Sequence, residues 1–292
     1  MNKSDIRKCI VRLYRKLMGL LPFKVVINID YFIKQKKILN VNNPQSFTEK
    51  MQWIKLYGGL EKYSYLVDKY EVRKFVEDKI GVEYLNEIYG VYEDVNHIDF
   101  KKLPKQFVIK LNNGSGYNLI CKDKSLLDED RIKKTLGKWL KVDFYKEHKE
   151  IQYKNVSSKI IIEKYLEDDS GELRDYKIFC ANGKAKFIQV DSSRFSDHTQ
   201  NMYDLKWNKL NITFGHNNSD RIDYKPTKLD EMIMLSEILS KDIPFARIDF
   251  YYVNNTIYFG EITLTPQNGL VKFEPKTEDT RIANMIDLKK YN

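Results

Sequence analysis

The stretch from Ala246 to Gly269, ARIDFYYVNNTIYFGEITLTPQNG, constrains the fold more than any other part of the chain. It reads as two strands of alternating apolar and aromatic residues that meet at Asn254-Asn255. Asp249 falls in the first strand and Glu261 in the second. Carboxylates inside such apolar strands are costly unless a cation or hydrogen bonds compensate them. Arg247 lies two residues before Asp249 and Thr263 two after Glu261, so each shares its neighbour's face. Such a hairpin could hold a hard cation such as Mg²⁺ beside phosphate oxygens. A strand pair with an ordinary wet face accounts for the same residues.

Register decides between the two. A two-residue turn at Asn254-Asn255 pairs Val253 with Thr256 and sets Asp249 opposite Gly260, so that the two carboxylates point apart. The metal reading therefore demands an odd turn or a bulge. The simpler choice is a three-residue turn, Asn254-Asn255-Thr256. It pairs Val253 with Ile257, Asp249 with Glu261 and Arg247 with Thr263.

Bulk properties narrow the class. With 292 residues, 42% of them hydrophobic, the chain can bury a core for one to three domains. The formal charge of +9 suits acidic partners, but the basic residues are interspersed with 41 acids, and no zinc-finger spacing or dominant basic helix suggests nucleic acid. Cys9, Cys121 and Cys180 are scattered and odd in number, which favours a reducing compartment over a disulfide framework or a zinc site. His97, His148, His198 and His216 lack metal-ligand spacing and read as surface or loop residues. No apolar run approaches the roughly 18 residues of a membrane span. The short run LMGLLPF lacks a cleavage site, so the expected location is cytoplasmic.

Taken in order, residues 1–25 read as a basic amphipathic helix ending near Pro22. Ile6, Ile10, Leu13, Leu17 and Leu20 form one stripe, and Lys3, Arg7, Lys8, Arg12, Arg15 and Lys16 crowd the other faces. It suits an anionic membrane surface, or packing on the protein body. Ser46 and Glu49 form a capping-box pattern ahead of KMQWIKLYG, which Gly58-Gly59 ends. SYLVDKYEVRKFVEDKI reads as one helix carrying Asp68, Lys69 and Arg73 on a salt-bridged face. A short strand is expected near Ile88 to Val91.

Lys105 to Asp123, KQFVIKLNNGSGYNLICKD, reads strand, glycine loop, strand. Asn112 to Gly116 can expose several backbone N–H groups, the arrangement that cradles phosphate, with Lys110 at the strand end; a plain hairpin turn fits too. Ser125 to Lys141 is a helix. Its Asp128-Glu129-Asp130 spells the DxD of glycosyltransferases, but acids in a first helical turn are explained by the macrodipole. KIIIEKYLE is a buried strand. Asp175 to Cys180 and Ala185 to Val190 form a hairpin about Asn182-Gly183. Residues 196–226 are polar and resist assignment. Leu229 to Ser240 is an amphipathic helix, and the Lys-rich tail after Pro266 is expected to pack little.

These stretches, in this order, resemble the ATP-grasp superfamily from about Asp68 to Gly269. IIIEKYL resembles the adenine-holding strand of D-alanine–D-alanine ligases, ARIDF with GEITLTP their paired metal strands, and RDYK the matching strand of peptide-ligating and synapsin-like branches. The wording NPQSFTEKMQW, DKYEVR, KLNNGSGYN and FGEITLTP looks most like the TupA-like branch, associated with teichuronopeptide and other bacterial surface polysaccharide synthesis.

The resemblance implies an α+β fold in which two subdomains grip ATP between antiparallel sheets, behind a helical N-terminal extension. Its segments would be 1–60 for the extension, 61–105 for a preceding segment, 106–165 for the glycine-loop subdomain and 166–292 for the metal-hairpin subdomain. It implies that Lys69 and Lys110 contact ATP phosphates while Gly114, Ser115 and Gly116 close over them. Glu163 and the backbone of Lys164, Tyr165 and Leu166 would hold adenine. Asp175 would take the ribose position, where relatives often have glutamate. Lys177, Arg194 and Arg247 would serve the transferring phosphoryl group, and Asp249, Glu261 and Thr263 would hold Mg²⁺, Thr263 standing where relatives commonly have asparagine. The implied activity is an ATP- and Mg²⁺-dependent carboxylate–amine ligase. It would join an amino acid or amine to a uronic acid or similar carboxylate of a surface glycan, at the inner face of the membrane if residues 1–25 bind there. A glycosyltransferase or sugar-modifying transferase of the same pathway is the alternative.

Overall fold

The computed structural model describes residues 13–15, 17–167, 173–192 and 199–291. Leu13–Arg15 and Leu17–Gly19 are helical, while Ile6 and Ile10 of the expected stripe lie outside the described residues. Beyond Pro22 a helix that the sequence reading did not foresee, α1 (Phe23–Gln35), buries Val26, Ile27 and Tyr31 beside Leu39. α2 (Phe47–Tyr57) starts on the expected capping box, with Ser46 Oγ accepting from the Glu49 amide and the Glu49 carboxylate from Ser46 N–H.

The next expected helix is broken. One turn, Ser64–Val67, is followed by Asp68 in an extended conformation, and only then by α3 (Val72–Ile80). Asp68 Oδ1 accepts from the amides of Tyr70 at 2.8 Å and Glu71 at 3.2 Å, so its side chain caps the new start in place of a continued helix. Asp68 and Lys69 thus sit in the break, and of the three named residues only Arg73 is helical.

Two antiparallel sheets follow. The smaller has the order β1 (Ile88–Tyr92), β4 (Ile160–Lys164), β2 (Phe107–Leu111), β3 (Asn118–Cys121). Alternation splits its faces. Phe107, Ile109, Leu111, Ile160 and Ile162 pack with Ile132 and Leu136 of α4 (Glu129–Trp139), leaving Lys110 and Glu163 on the opposite face. Asp128 caps α4 by accepting from the Arg131 amide, which accounts for the DxD.

The larger sheet has the order β10 (Thr256–Thr263), β9 (Phe245–Val253), β5 (Asp175–Ala181), β6 (Lys184–Ser192), β7 (Thr199–Tyr203), β8 (Lys209–Leu210). The last two strands lie in the stretch that had resisted assignment. Tyr176, Ile178, Ile248 and Phe250 share a face and a core with Met232, Leu235 and Leu239 of α5 (Leu229–Leu239). The other face is divided along its length. One end carries Asp175, Lys177, Gln189, Asp191 and Asp249, paired by register. The other end carries Phe179, Phe187 and Phe245, which join Phe47, Phe214 and Phe273 in an aromatic core, each at most 2% exposed.

That core corrects the reading of the tail. Phe273 is fully buried, stacked on Phe214 at 4.4 Å and edge-on to Phe47 at 4.9 Å. Helix α6 (Lys276–Asn284) buries Ile282 and Ala283 and presents Asp279, whose carboxylate accepts from the amides of Phe47 and Phe273. Burying one such ring contributes about 1.5–3 kcal/mol, and each edge or stacked pair about 0.5–1.5 kcal/mol more. Lysines that dominate the tail's composition hide this anchor from a charge-based reading.

The hairpin at the end of the larger sheet also differs from expectation. Its turn has two residues, Asn254 and Asn255 at φ 48° and 63°, and Val253 pairs with Thr256. Two successive positive φ angles are what an Asn-Asn primed turn supplies. The odd residue sits instead at Gly260, where the register shifts between Phe259 and Glu261. This bulge sets Glu261 opposite Asp249 and Thr263 opposite Arg247. A side chain at Gly260 would come within 3.0 Å of the Asp249 carbonyl oxygen, which suits glycine there.

Candidate active site

Lys69 is placed by the break before α3. Asn112 Nδ2 donates to Asp68 Oδ2 at 2.7 Å, and Asn112 O accepts from the Lys69 amide at 2.9 Å. The Lys69 ammonium then donates to Gly114 O at 2.7 Å and lies 3.9 Å from Glu261 Oε2. One lysine thus spans from the glycine loop to the hairpin of the other sheet. Burial pulls its pKa below the ordinary lysine value, against the pull of Glu261. Within the loop Gly114 is buried, whereas Ser115 and Gly116 are exposed at its tip. Both glycines have positive φ, 76° and 85°.

Lys110 and Glu163 form an ion pair on the free face of the smaller sheet, and the Lys110 ammonium lies 5.9 Å from the centre of the Tyr251 ring on β9. Burial pulls the Lys110 pKa down, but Glu163 and Tyr251 outweigh it and the net shift is upward. Beyond Glu163, the Lys164 amide donates to Glu87 O and its carbonyl accepts from Asn86. Leu166 is buried and Tyr165 donates to Glu167.

On the larger sheet, Lys177 is buried among three carboxylates. It bonds Asp175, reaches Asp249 Oδ2 at 2.9 Å and lies 3.6 Å from Asp191. Burial opposes its charge, yet Asp175 and Asp249 raise its pKa on balance. Arg247 grips Asp249 with two parallel bonds, Nε to Oδ1 at 2.7 Å and Nη2 to Oδ2 at 2.6 Å, and extends Nη2 to Glu261 Oε1 at 3.2 Å and Thr263 Oγ1 at 3.1 Å. Burial pushes the Asp249 carboxyl up while Arg247 and Lys177 pull it down. Burial also pushes Glu261 up, but Lys69 and Arg247 hold it below its ordinary value.

Among the expected residues, Lys69 thus links the glycine loop to Glu261, Lys110 approaches Tyr251 of the larger sheet, and Lys177, Arg247, Asp249, Glu261 and Thr263 form one bonded group. Arg194 lies outside the described residues. Mg²⁺ takes one or two protein carboxylates and completes its shell with phosphate and water oxygens. Asp249, Glu261 and Thr263 supply oxygen donors on one face, so their chemistry fits. Among the described residues, no group of three or more His, Cys, Asp or Glu side chains gathers as a metal cluster. Both oxygens of Asp249 are held by Arg247 and Lys177, whereas the Glu261 side chain is 37% exposed.

A second layer was missed by the sequence reading. The segment leaving the hairpin, Thr265 to Gly269, is pinned by buried polar groups of α2 and of residues 148–152. Lys55 bonds the Asn268 amide oxygen, Gln52 donates to the carbonyls of Asn268 and Gly269, and Asn268 donates to His148 O. Glu150 accepts from Thr265 and from Gln152. Burial draws Lys55 down to about 8, against Glu150 and Asp30. The signal was present in TEKMQWIK, where Gln52 and Lys55 are polar residues three apart on a helix otherwise rich in apolar ones.

The sequence matches the TupA-like ATPgrasp family over residues 49–287. No curated protein matches the sequence. Similar solved structures include the ADP complex of purK, N5-carboxyaminoimidazole ribonucleotide synthetase (11% identity, TM-score 0.46, covering 76% of this chain and 52% of that one). They also include the ATP-grasp ligase PsnB with a phosphomimetic variant of its minimal precursor, Mg and ADP (8%, 0.45, 84% and 66%). A third is D-alanine–D-alanine ligase from Bacillus anthracis with ATP (17%, 0.44, 78% and 66%). The chain thus spans about half the length of the first and two thirds of the others. The family match takes in most of α2, the glycine loop, both sheets and the Asp249/Glu261 hairpin, and the chain belongs to the TupA-like family of the ATP-grasp superfamily.

Proposed function

We propose that the chain is an ATP- and Mg²⁺-dependent carboxylate–amine ligase. The observation that carries this is the convergence of Lys69, Lys110, Lys177 and Arg247 with Asp249 and Glu261 between two sheets. Lys69 and Lys110 bind phosphate oxygens, and the loop of Gly114, Ser115 and Gly116, the last two exposed at its tip, closes over them. Glu163 and the backbone of Tyr165 and Leu166 hold the base, because the Lys164 backbone is already bonded to Asn86 and Glu87. Asp175 takes the ribose. Mg²⁺ at Asp249, Glu261 and Thr263 would neutralise charge on the phosphates. Nucleotide phosphates offer Lys110 and Lys177 new partners in place of Glu163 and Asp249.

The substrate carboxylate oxygen attacks the γ-phosphorus, and the bond to the bridging oxygen breaks, its electron pair leaving on ADP. Arg247 and Lys177 stabilise the charge that spreads over the phosphoryl oxygens. An amine then attacks the acyl carbon of the acyl phosphate, a C–N bond forms, and inorganic phosphate leaves with a proton lost from the amine. The residues act by positioning and electrostatics, so no Ser or Cys nucleophile is needed. A uronic acid of a surface polysaccharide and an amino acid are the substrates we favour. The test is a matrix of uronic acids against amino acids, read as ADP. ADP release that requires both partners supports the ligase, whereas transfer from a nucleotide sugar without ATP cleavage rejects it.

The same reading places the N-terminal region on an anionic membrane surface. Leu13, Leu17, Leu20, Val25, Phe32 and Ile33 are exposed, with Arg15 and Lys24 among them. Exposed apolar residues beside basic ones suit helices lying in the headgroup region. Among the described residues no helix is long and apolar enough to cross a membrane.

A further inference from the structure

A pocket of about 660 Å³ opens beside the segment that leaves the metal hairpin. Its walls come from three places: the end of α1 with Lys34, Gln35 and Lys36, the 213–217 loop, and Gln267 with residues 270–274. The volume suits a small organic ligand, within the roughly 300–1,000 Å³ of ordinary binding clefts. The frame is fixed by the chain itself. Thr213 and Glu274 exchange two backbone hydrogen bonds of 2.9 and 3.0 Å, and Gln35 Nε2 donates to Leu270 O at 2.6 Å.

The lining is cationic and amide-rich. Lys272 lies 3.6 Å from Glu274, while neither Lys34 nor Lys36 has an ion-pair partner among the described residues. Three lysines against one carboxylate leave an excess of two positive charges. Gln35, Gln267, Asn217 and Thr213 add the amides and hydroxyl that hydrogen-bond sugar hydroxyls.

Backbone strain marks the same wall. Gln267 and Asn268 both have positive φ, 52° and 56°. Neither is glycine, and such conformations persist where surrounding structure over-determines them, often at ligand clamps. Here Lys55 and Gln52 do so from beneath, through Asn268. Gln267 is the fourth residue after Thr263, so one short rigid segment runs from the reacting centre to the pocket.

We infer that this pocket binds the acceptor as an anionic sugar, a uronate-bearing saccharide whose carboxylates pair with Lys34, Lys36 and Lys272. The inference rests on the ligase reading for the word acceptor, but the binding itself does not depend on turnover.

The test is calorimetric titration with tri-galacturonate, without vesicles, of the full chain, Lys34→Glu/Lys36→Glu, and Val271→Trp, which fills the pocket without changing its charge. The inference expects binding to the wild type that weakens as salt rises, at least tenfold loss in both variants, little binding of neutral maltotriose, and ATP affinity unchanged throughout. Absence of tri-galacturonate binding to the wild type overturns it, as does wild-type affinity in the Val271→Trp protein. Failure of the ligase reading would show separately, as saccharide binding without ATP binding.

Discussion

The two glycines of the 114–116 loop both have positive φ but different surroundings, and that difference sets a quantitative expectation. Gly114 and Gly116 have φ of 76° and 85°. An L residue forced into the left-handed region costs about 1–2 kcal/mol. For Gly116→Ala that is the whole cost, because nothing lies within 4 Å of the new methyl. For Gly114→Ala the methyl would stand 2.3 Å from the Phe144 ring. Phe144 cannot retreat freely, since it is stacked on His148 at 4.3 Å and packed edge-on against Tyr153 at 4.8 Å. Overpacking adds about 1–3 kcal/mol, giving roughly 2–5 kcal/mol in total. Urea unfolding of both variants reads the difference directly, at unchanged slope. A gap of at least about 1 kcal/mol is expected from the overpacking term. Equal stability of the two variants would refute the packing account of the loop.

Asp279→Ala orphans the buried amides of Phe47 and Phe273 and should cost about 1–3 kcal/mol for each, measured by the same unfolding assay. The His148 pKa is depressed from 6.5 to about 4 by burial, with Arg15 and Lys55 adding to it. Between those values the unfolded chain binds more protons, so stability should fall as pH drops through this window, by at most about 1.4 kcal/mol per pH unit. His148→Gln should flatten that dependence; an unchanged slope would assign it elsewhere. The full chain should sediment with anionic vesicles and be released by salt, and Leu17→Glu/Phe32→Glu should stay in solution. Full-length protein that ignores anionic vesicles at low salt would remove the membrane from the account.

Much of the local structure around the candidate site was legible because local chemistry dictates it. Alternation placed Lys110, Asp249 and Glu261 on strands, turn residues placed Asn182-Gly183 and Asn254-Asn255, and the capping box placed α2. The device that aligns the carboxylates was misplaced. Parity demands one odd residue between Asp249 and Glu261, but parity cannot say whether a turn or a bulge absorbs it. Gly260, the one residue of that strand without a side chain, was the available clue. Asp68 was read as helical because its charge pattern is helical, whereas its side chain caps the local amides of Tyr70 and Glu71, and its other partner, the Asn112 side-chain amide, is known only once the glycine loop packs beside it. The buried contacts of Lys55, Glu150 and Phe273 are likewise long-range, and although Lys55 stands out as a polar residue in α2, its partner is not named by the sequence.

The central claim is that nucleotide phosphates lie between the two sheets, and Lys110 tests it most directly. Calorimetric titration of ATP with Mg²⁺ into the wild type and Lys110→Ala compares a charge-assisted phosphate contact with its absence. The loss should be about 1.5–3 kcal/mol, a roughly 10- to 150-fold weaker Kd. Unchanged ATP affinity in a folded Lys110→Ala protein would contradict the account.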